Sequence, residues 1–267
     1  MARRKNKIYG NCQICEQYKK LTDDHVPPQG GIDVDSVEIK SAFNFFTKQL
    51  GNKNYFISQN GVKFTTICEC CNSKLGREYD TVLNSFSLDI KRFLDSKLLL
   101  LNSYNIETKP NRLIRAVLGH LLAAKKEIEK TPFDEKVREI LFDESKSIPD
   151  DINVFYWIYP YKLTIIIRDI IMPAIRGKYN DLGFFQIFKY YPVAYLVINK
   201  NKYQNLQSLR DYNSVKLDTI ANINIKLNER KHWKWPEIIE DVNFVLPSKS
   251  ANDDGIIAKK YTKGKNV

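Results

Sequence analysis

Ile67–Asp80 reads ICECCNSKLGREYD, and the fold turns on how these residues are read. Cys68 and Cys71 have the C-x-x-C spacing of a metal knuckle, and Asn72 follows at once. Leu75, Tyr79, Val82, Leu83, Phe86, Ile90, Phe93, Leu94 and Leu98 then recur at helical spacing. The pattern predicts a helix over Asn72–Leu101 with a break near Ser85–Ser87. Just upstream, Tyr55–Ile67 (YFISQNGVKFTTI) places Asn60-Gly61 between runs of β-branched and aromatic residues, which predicts a β-hairpin with a type I′ turn. Its second strand runs directly into Cys68.

The partner of this knuckle lies near the start of the chain. Cys12-Gln13-Ile14-Cys15 is a second C-x-x-C, and Asp24-His25-Val26-Pro27-Pro28 comes soon after it. Four thiolates close a tetrahedral zinc shell, and each C-x-x-C supplies two of them. Cys12, Cys15, Cys68 and Cys71 are therefore the expected ligands of one Zn2+, with a set of buried thiols as the plainer alternative. A closed four-sulfur shell has no open position, so this ion would be structural. Five cysteines, four of them in two such pairs, favour metal binding in a reducing compartment, and the expected location is the cytoplasm. Cys70 falls outside the C-x-x-C register.

Composition widens the reading. The 267 residues are 43% hydrophobic and 27% charged, as in globular chains. Lys and Arg number 42 against 31 Asp and Glu, a net charge of +11, and such a surface attracts polyanions, nucleic acid first among them. No run approaches the ~18 apolar residues of a membrane span. The basic stretch Met1–Lys7 has no apolar run behind it and does not read as a secretory signal; residues 1–11 read as a basic arm.

The fold class expected is α+β, in two parts. Residues 1–108 hold the knuckles, a strand at Leu21–Val26, a helix within Val37–Leu50 and the predicted hairpin. Residues 109–267 form an α+β accessory domain whose role the sequence leaves open. Its helices are expected at Asn111–Lys130, Asp134–Phe142 and Gln204–Tyr212. Its strands are expected at Val154–Tyr159, Leu163–Ile171, Phe184–Lys189 and Val193–Asn199, with a strand pair over Val215–Leu227. The tail from Ser248 reads as frayed. Phe155-Tyr156-Trp157 and Tyr190-Tyr191-Pro192 read as core aromatics.

Three histidines are present. His120 lies in a strongly periodic helix and His232 precedes Trp233 and Trp235, so both read as packing or surface residues. His25 differs, since it follows an acid at the end of a strand. On a regular strand Asp24 and His25 point to opposite faces unless the backbone twists or bulges.

A knuckle, then Asp24-His25-Val26-Pro27-Pro28, then a second knuckle running into Asn72 and Gly76 resembles the HNH endonuclease superfamily. The likeness is to its zinc-stabilised, Asn-containing variants, and it covers about residues 8–85. It implies a ββα-metal nuclease core that hydrolyses phosphodiester bonds of DNA. By the same resemblance His25 is the general base. Asp24 and Asn72 are ligands of a catalytic divalent ion, Mg2+ or Mn2+, both of which favour oxygen donors. The middle motif position, usually Asn, falls on Lys63, a departure from the pattern. Asn60 would supply the brace only in a shifted register, and its Asn-Gly context is better explained by turn geometry.

Further candidates come from the residues themselves. Asp80 lies about 80° around the helix from Asn72 and is a further ligand candidate. Lys63, Lys74 and Arg77 are candidates for nucleic-acid contact, and Gly76 for close approach of the helix to a neighbour. The expected partner is DNA, with RNA an open alternative, no membrane, and a homodimer or defence-system protein as a possible associate. Anti-phage defence or a mobile element is the setting that the family suggests. The rival reading is a zinc-bearing nucleic-acid-binding module without catalysis.

Overall fold

A computed structural model of the chain describes residues 8–31, 35–42, 55–96, 102–126, 131–173, 182–199, 203, 205–227 and 255–262, without the side chains of 170–173 and 182–185. A three-stranded sheet comes first: β1 (Tyr9–Asn11), β2 (Tyr18–His25) and β5 (Lys63–Cys68), in the order β1-β2-β5. Cys68 ends β5, and α1 (Glu69–Leu75) begins at the next residue. A π-helical turn, Gly76–Asp80, passes the chain into α2 (Thr81–Leu94). The irregularity therefore sits at Gly76–Asp80 rather than near Ser85–Ser87, because Ser87 stays in the helix with its hydroxyl donating to the Leu83 carbonyl (2.8 Å).

The hairpin expected over Tyr55–Ile67 is absent, although its turn is present. Asn60 and Gly61 both adopt positive φ (61° and 81°), as the Asn-Gly pair predicts. The flanking strands then separate. β4 (Tyr55–Ser58) pairs with β3 (Val37–Ser41), whereas β5 pairs with β2. Gly61 N–H donates to the Asp35 carbonyl (2.9 Å), so a third segment holds the turn. The first part of the helix expected in Val37–Leu50 is thus strand β3; residues 43–54 lie outside the described ones.

β3 and β4 join an eight-stranded sheet in the order β11-β7-β10-β9-β8-β13-β3-β4. Its other members are β7 (Asn153–Ile158), β8 (Leu163–Pro173), β9 (Leu182–Tyr190), β10 (Val193–Ile198), β11 (Gln207–Ser208) and β13 (Gly255–Lys260). β7 to β10 follow the expected strands closely. The remaining differences lie toward the C-terminus. The helix expected at Gln204–Tyr212 is β11 plus a 3-10 turn at Arg210–Tyr212. The strand pair expected at Val215–Leu227 is one strand, β12 (Ala221–Lys226), paired with β6 (Ser103–Thr108). Part of the supposedly frayed tail is β13, hydrogen-bonded between β8 and β3. A Cβ on Gly255 would lie 2.6 Å from the Ile166 carbonyl oxygen, so only glycine enters the sheet there.

Helix α3 (Pro110–Ala123) is buried almost all round and packs against α2, the π turn, β5, β9 and α4 (Pro132–Phe142). A helix buried on every side needs an apolar circumference. Leu113, Ile114, Val117, Leu118, Leu121 and Leu122 are all fully enclosed, in one hydrophobic core with Leu75, Tyr79, Tyr156 and Tyr195. Gly119 permits a close approach of α3 to α1: a Cβ there would lie 2.7 Å from Leu75 Cδ2. Neither the core nor the large sheet divides near residue 108, since β3 and β4 hydrogen-bond into the C-terminal sheet. Arg138 Nε from α4 also donates to the Gln13 carbonyl inside the first knuckle (2.8 Å).

Candidate metal centre and adjoining acidic cluster

The knuckles meet because β2 and β5 pair in register, Leu21 opposite Cys68. The ligand atoms of Cys12, Cys15, Cys68 and Cys71 all lie within 4.8 Å of one another. Cys15 and Cys68 sulfurs are 3.7 Å apart. A tetrahedral zinc shell with ~2.3 Å bonds has sulfur–sulfur edges of about 3.8 Å, so the cluster could hold an ion such as zinc. The backbone N–H groups of Cys15 (3.5 Å) and Cys68 (3.3 Å) point at the Cys12 sulfur. The hydrogen bond from the Cys71 thiol, helped by these N–H groups and opposed by burial, draws the Cys12 pKa down to about 4. The same bond and burial push Cys71 up, and burial raises Cys15. Cys70 is exposed and outside the group.

Beyond Thr22 the strand pair is irregular. Thr22 faces Ile67 and Asp24 faces Phe64, so two steps along β2 match three along β5. This bulge re-aims the acids. Asp23 accepts from Thr65 Oγ1 (2.7 Å), while Asp24 turns inward and is buried. Asn72 sits on α1 beside the bulge. Its Nδ2 donates to Thr22 Oγ1 (3.1 Å) and to the Asp23 carbonyl (3.0 Å), which leaves Oδ1 as its available ligand atom.

Asp24 meets a residue the sequence reading passed over. His120, wholly enclosed in α3, donates from Nδ1 to Asp24 Oδ2 (3.3 Å) and from Nε2 to Asp80 Oδ1 (2.8 Å). Burial opposes charge on this ring. Asp80 and Asp24 outweigh it and hold the imidazolium pKa up to about 10. The ring thus lies between two carboxylates as a buried cation. Asp24 and Asp80 converge on it, but from opposite edges. Among the described residues, no group of three or more His, Cys, Asp or Glu other than the four cysteines gathers its ligand atoms closely enough for a metal. One signal in the sequence could have marked His120: it is the sole ionisable residue in an otherwise apolar stretch, Ala116–Ala124.

His25 ends β2 opposite Lys63, so their side chains share a face. Gln29 Nε2 donates to His25 Nε2 (2.9 Å). Burial, and then the positive charge of Lys63, lower the His25 pKa below its usual value. Asp24, Asp23 and a hydrogen bond with the Asn60 backbone act in the opposite sense without cancelling the effect. The segment after His25 is pressed onto α2: a Cβ on Gly30 would fall 2.5 Å from Asn84 Nδ2, and one on Gly31 2.8 Å from Asn84 Oδ1. His25 and Gln29 line a cleft of about 440 Å3, with Lys91, Lys162 and Tyr191 among its other walls.

The other sequence candidates are occupied or displaced. Lys74 donates to the Leu141 carbonyl (2.6 Å) and lies 3.8 Å from Glu144, which ties α1 to α4. Arg77 is exposed and paired with Glu78 (2.7 Å). Tyr79 is buried, its hydroxyl donating to Glu144 (2.9 Å). Gly76 makes no close approach: its φ is −58°, and a Cβ would meet only Asp80 Oδ2 at 4.0 Å. His232 lies outside the described residues. Among these residues no helix is long and apolar enough to cross a membrane. No family model, curated protein or solved structure matches the chain.

Proposed function

We propose that this chain is a metal-dependent endonuclease of the HNH kind, hydrolysing phosphodiester bonds of DNA. The observation that carries the reading is the placement of His25. It sits at the end of an antiparallel strand pair that runs straight into a helix from a four-cysteine cluster, and it opens onto a cleft lined with lysines. A histidine with a lowered pKa is neutral at pH 7 and can accept a proton from an attacking water. The hydrogen bond with the Asn60 backbone holds one edge of the ring, and Gln29, which donates to Nε2, must release that nitrogen before it can take the proton. Lys63, beside His25, would attract the scissile phosphate.

A divalent ion, Mg2+ or Mn2+, would be held by Asp24, Asn72 Oδ1 and Asp80, and when bound it would stabilise charge on the phosphoryl oxygens and the leaving oxygen. Asp24 and Asp80 lie at opposite edges of the His120 ring, so they could share one ion only after that ring moves from between them. The structural zinc would hold the start of α1, and with it Asn72, against β2.

One observation favours the non-catalytic reading, a zinc-bearing nucleic-acid-binding module: Asp24 is buried and committed to His120. Supercoiled plasmid and a single-stranded oligonucleotide, incubated with no divalent ion, Mg2+ or Mn2+, separate the two. The nuclease reading expects metal-dependent cuts by wild type and none by His25→Ala, with equal zinc content in both. Binding without cleavage under every condition would establish the module instead.

A further inference from the structure

We infer that the cleft beside His25 receives a single unpaired nucleotide, so that the preferred substrate is single-stranded or locally unpaired nucleic acid. This rests on the nuclease reading and adds what the site can admit. The first argument is size. A cleft of about 440 Å3 lies near the lower end of the ~300–1,000 Å3 typical of small-ligand sites. It has room for one nucleotide, whereas a duplex would have to meet it from outside. His25 is half-buried in its wall, so a nucleotide seated in the cleft brings its phosphate to the ring.

The second argument is the chemistry of the walls. Recognition of single strands combines cations that follow the phosphates with an aromatic face on which a base stacks. Lys91 comes from α2 and Lys162 from the turn between β7 and β8, and both reach the cleft. Lys260 also lines it, 2.8 Å from Asp35, and the carboxylate residues Asp35 and Asp95 are part of the wall as well. Of the Tyr190-Tyr191 pair, Tyr190 is core, while Tyr191 stays partly exposed on the turn between β9 and β10. The Tyr191 hydroxyl donates to Asp95 Oδ1 (3.0 Å), which sets the ring orientation before any ligand arrives.

The test is fluorescence anisotropy with a labelled single-stranded oligonucleotide and its duplex, in DNA and RNA form, at one salt concentration without added divalent ion. Wild type should bind the single strand about 10-fold more tightly than the duplex. Tyr191→Ala should lose about 10-fold of the single-strand affinity, and Tyr191→Phe should retain it. Equal or tighter duplex binding, or a Tyr191→Ala protein that binds single strands as wild type does, overturns the inference. Should Tyr191→Ala fail to fold, Lys162→Glu, on an exposed turn, decides: it must weaken single-strand binding more than duplex binding. A wild type that prefers single strands yet cuts nothing with Mg2+ or Mn2+ would leave the cleft inference standing and remove the nuclease reading.

Discussion

His120 Nε2 lies 2.8 Å from Asp80 Oδ1, and the opposite edge of the same ring is 3.3 Å from Asp24 Oδ2. One buried cation therefore joins β2, the π turn and α3. Removing it leaves a buried carboxylate uncompensated, and breaking such a pair costs about 3–5 kcal/mol. His120→Leu should lose stability of that order in urea unfolding.

The pH dependence of that contribution has a definite sign. The folded-state pKa of His120 is raised, from an ordinary 6.5 to about 10. Its stabilisation is complete below about pH 6.5 and is lost as pH rises toward 10. Unfolding free energies measured at pH 6.5, 8 and 9.5 should fall more for wild type than for His120→Gln. Parallel pH profiles would show that the ring carries no charge in the fold.

The cysteine cluster should bind one zinc per chain, as read by elemental analysis. Cys68→Ser should lower that content and reduce helicity, since Cys68 directly precedes α1. Cys70→Ser should change neither, because Cys70 is exposed and outside the cluster.

For His25 the expectation is kinetic. If the proposed nuclease reading holds, His25→Ala should lower kcat by about 10²–10⁴-fold, the usual range for losing a general base. The acid limb of the wild-type kcat/KM profile should have its midpoint below 6.5, following the direction imposed by burial and Lys63. A midpoint well above 6.5 would assign the proton transfer to another group.

Two glycines should respond in opposite ways. Gly76 is helical with open space around its Cα, so Gly76→Ala should stabilise the protein by about 0.5–1 kcal/mol. Gly119→Ala would press a methyl group to 2.7 Å from Leu75 and should cost about 1–3 kcal/mol. Thermal melts of both variants suffice as the measurement.

Asp134 serves two elements. It completes the capping box of α4 with Thr131, and its carboxylate also accepts from Lys125 and from Arg168 Nη2 (2.7 Å). Asp134→Ala should cost about 3–5 kcal/mol, because two buried cations lose their nearer counterion and keep only Asp169, at 3.5 and 3.7 Å. A loss no larger than that of Thr131→Ala would mean that only the cap matters.

What was legible in the sequence is what short-range chemistry determines. The C-x-x-C spacings specify knuckles, Asn60-Gly61 specifies a turn with two positive φ values, and the apolar period of Leu113–Leu122 specifies a buried helix. None of these signals states which distant segment will be the partner. The same Asn-Gly turn serves a hairpin or two strands that part, and tertiary packing chose the latter by giving β4 to β3 and β5 to β2. The partners of β13 lie far from it in the chain, so Gly255–Lys260 resembles a polar tail until β8 and β3 enclose it. His120 is the clearest case. By itself the sequence placed this position on a periodic helix, as a packing or a surface residue. Only the tertiary structure brought Asp24 and Asp80 to its two edges, because a buried imidazole becomes a stable cation only where two separate elements deliver carboxylates to it.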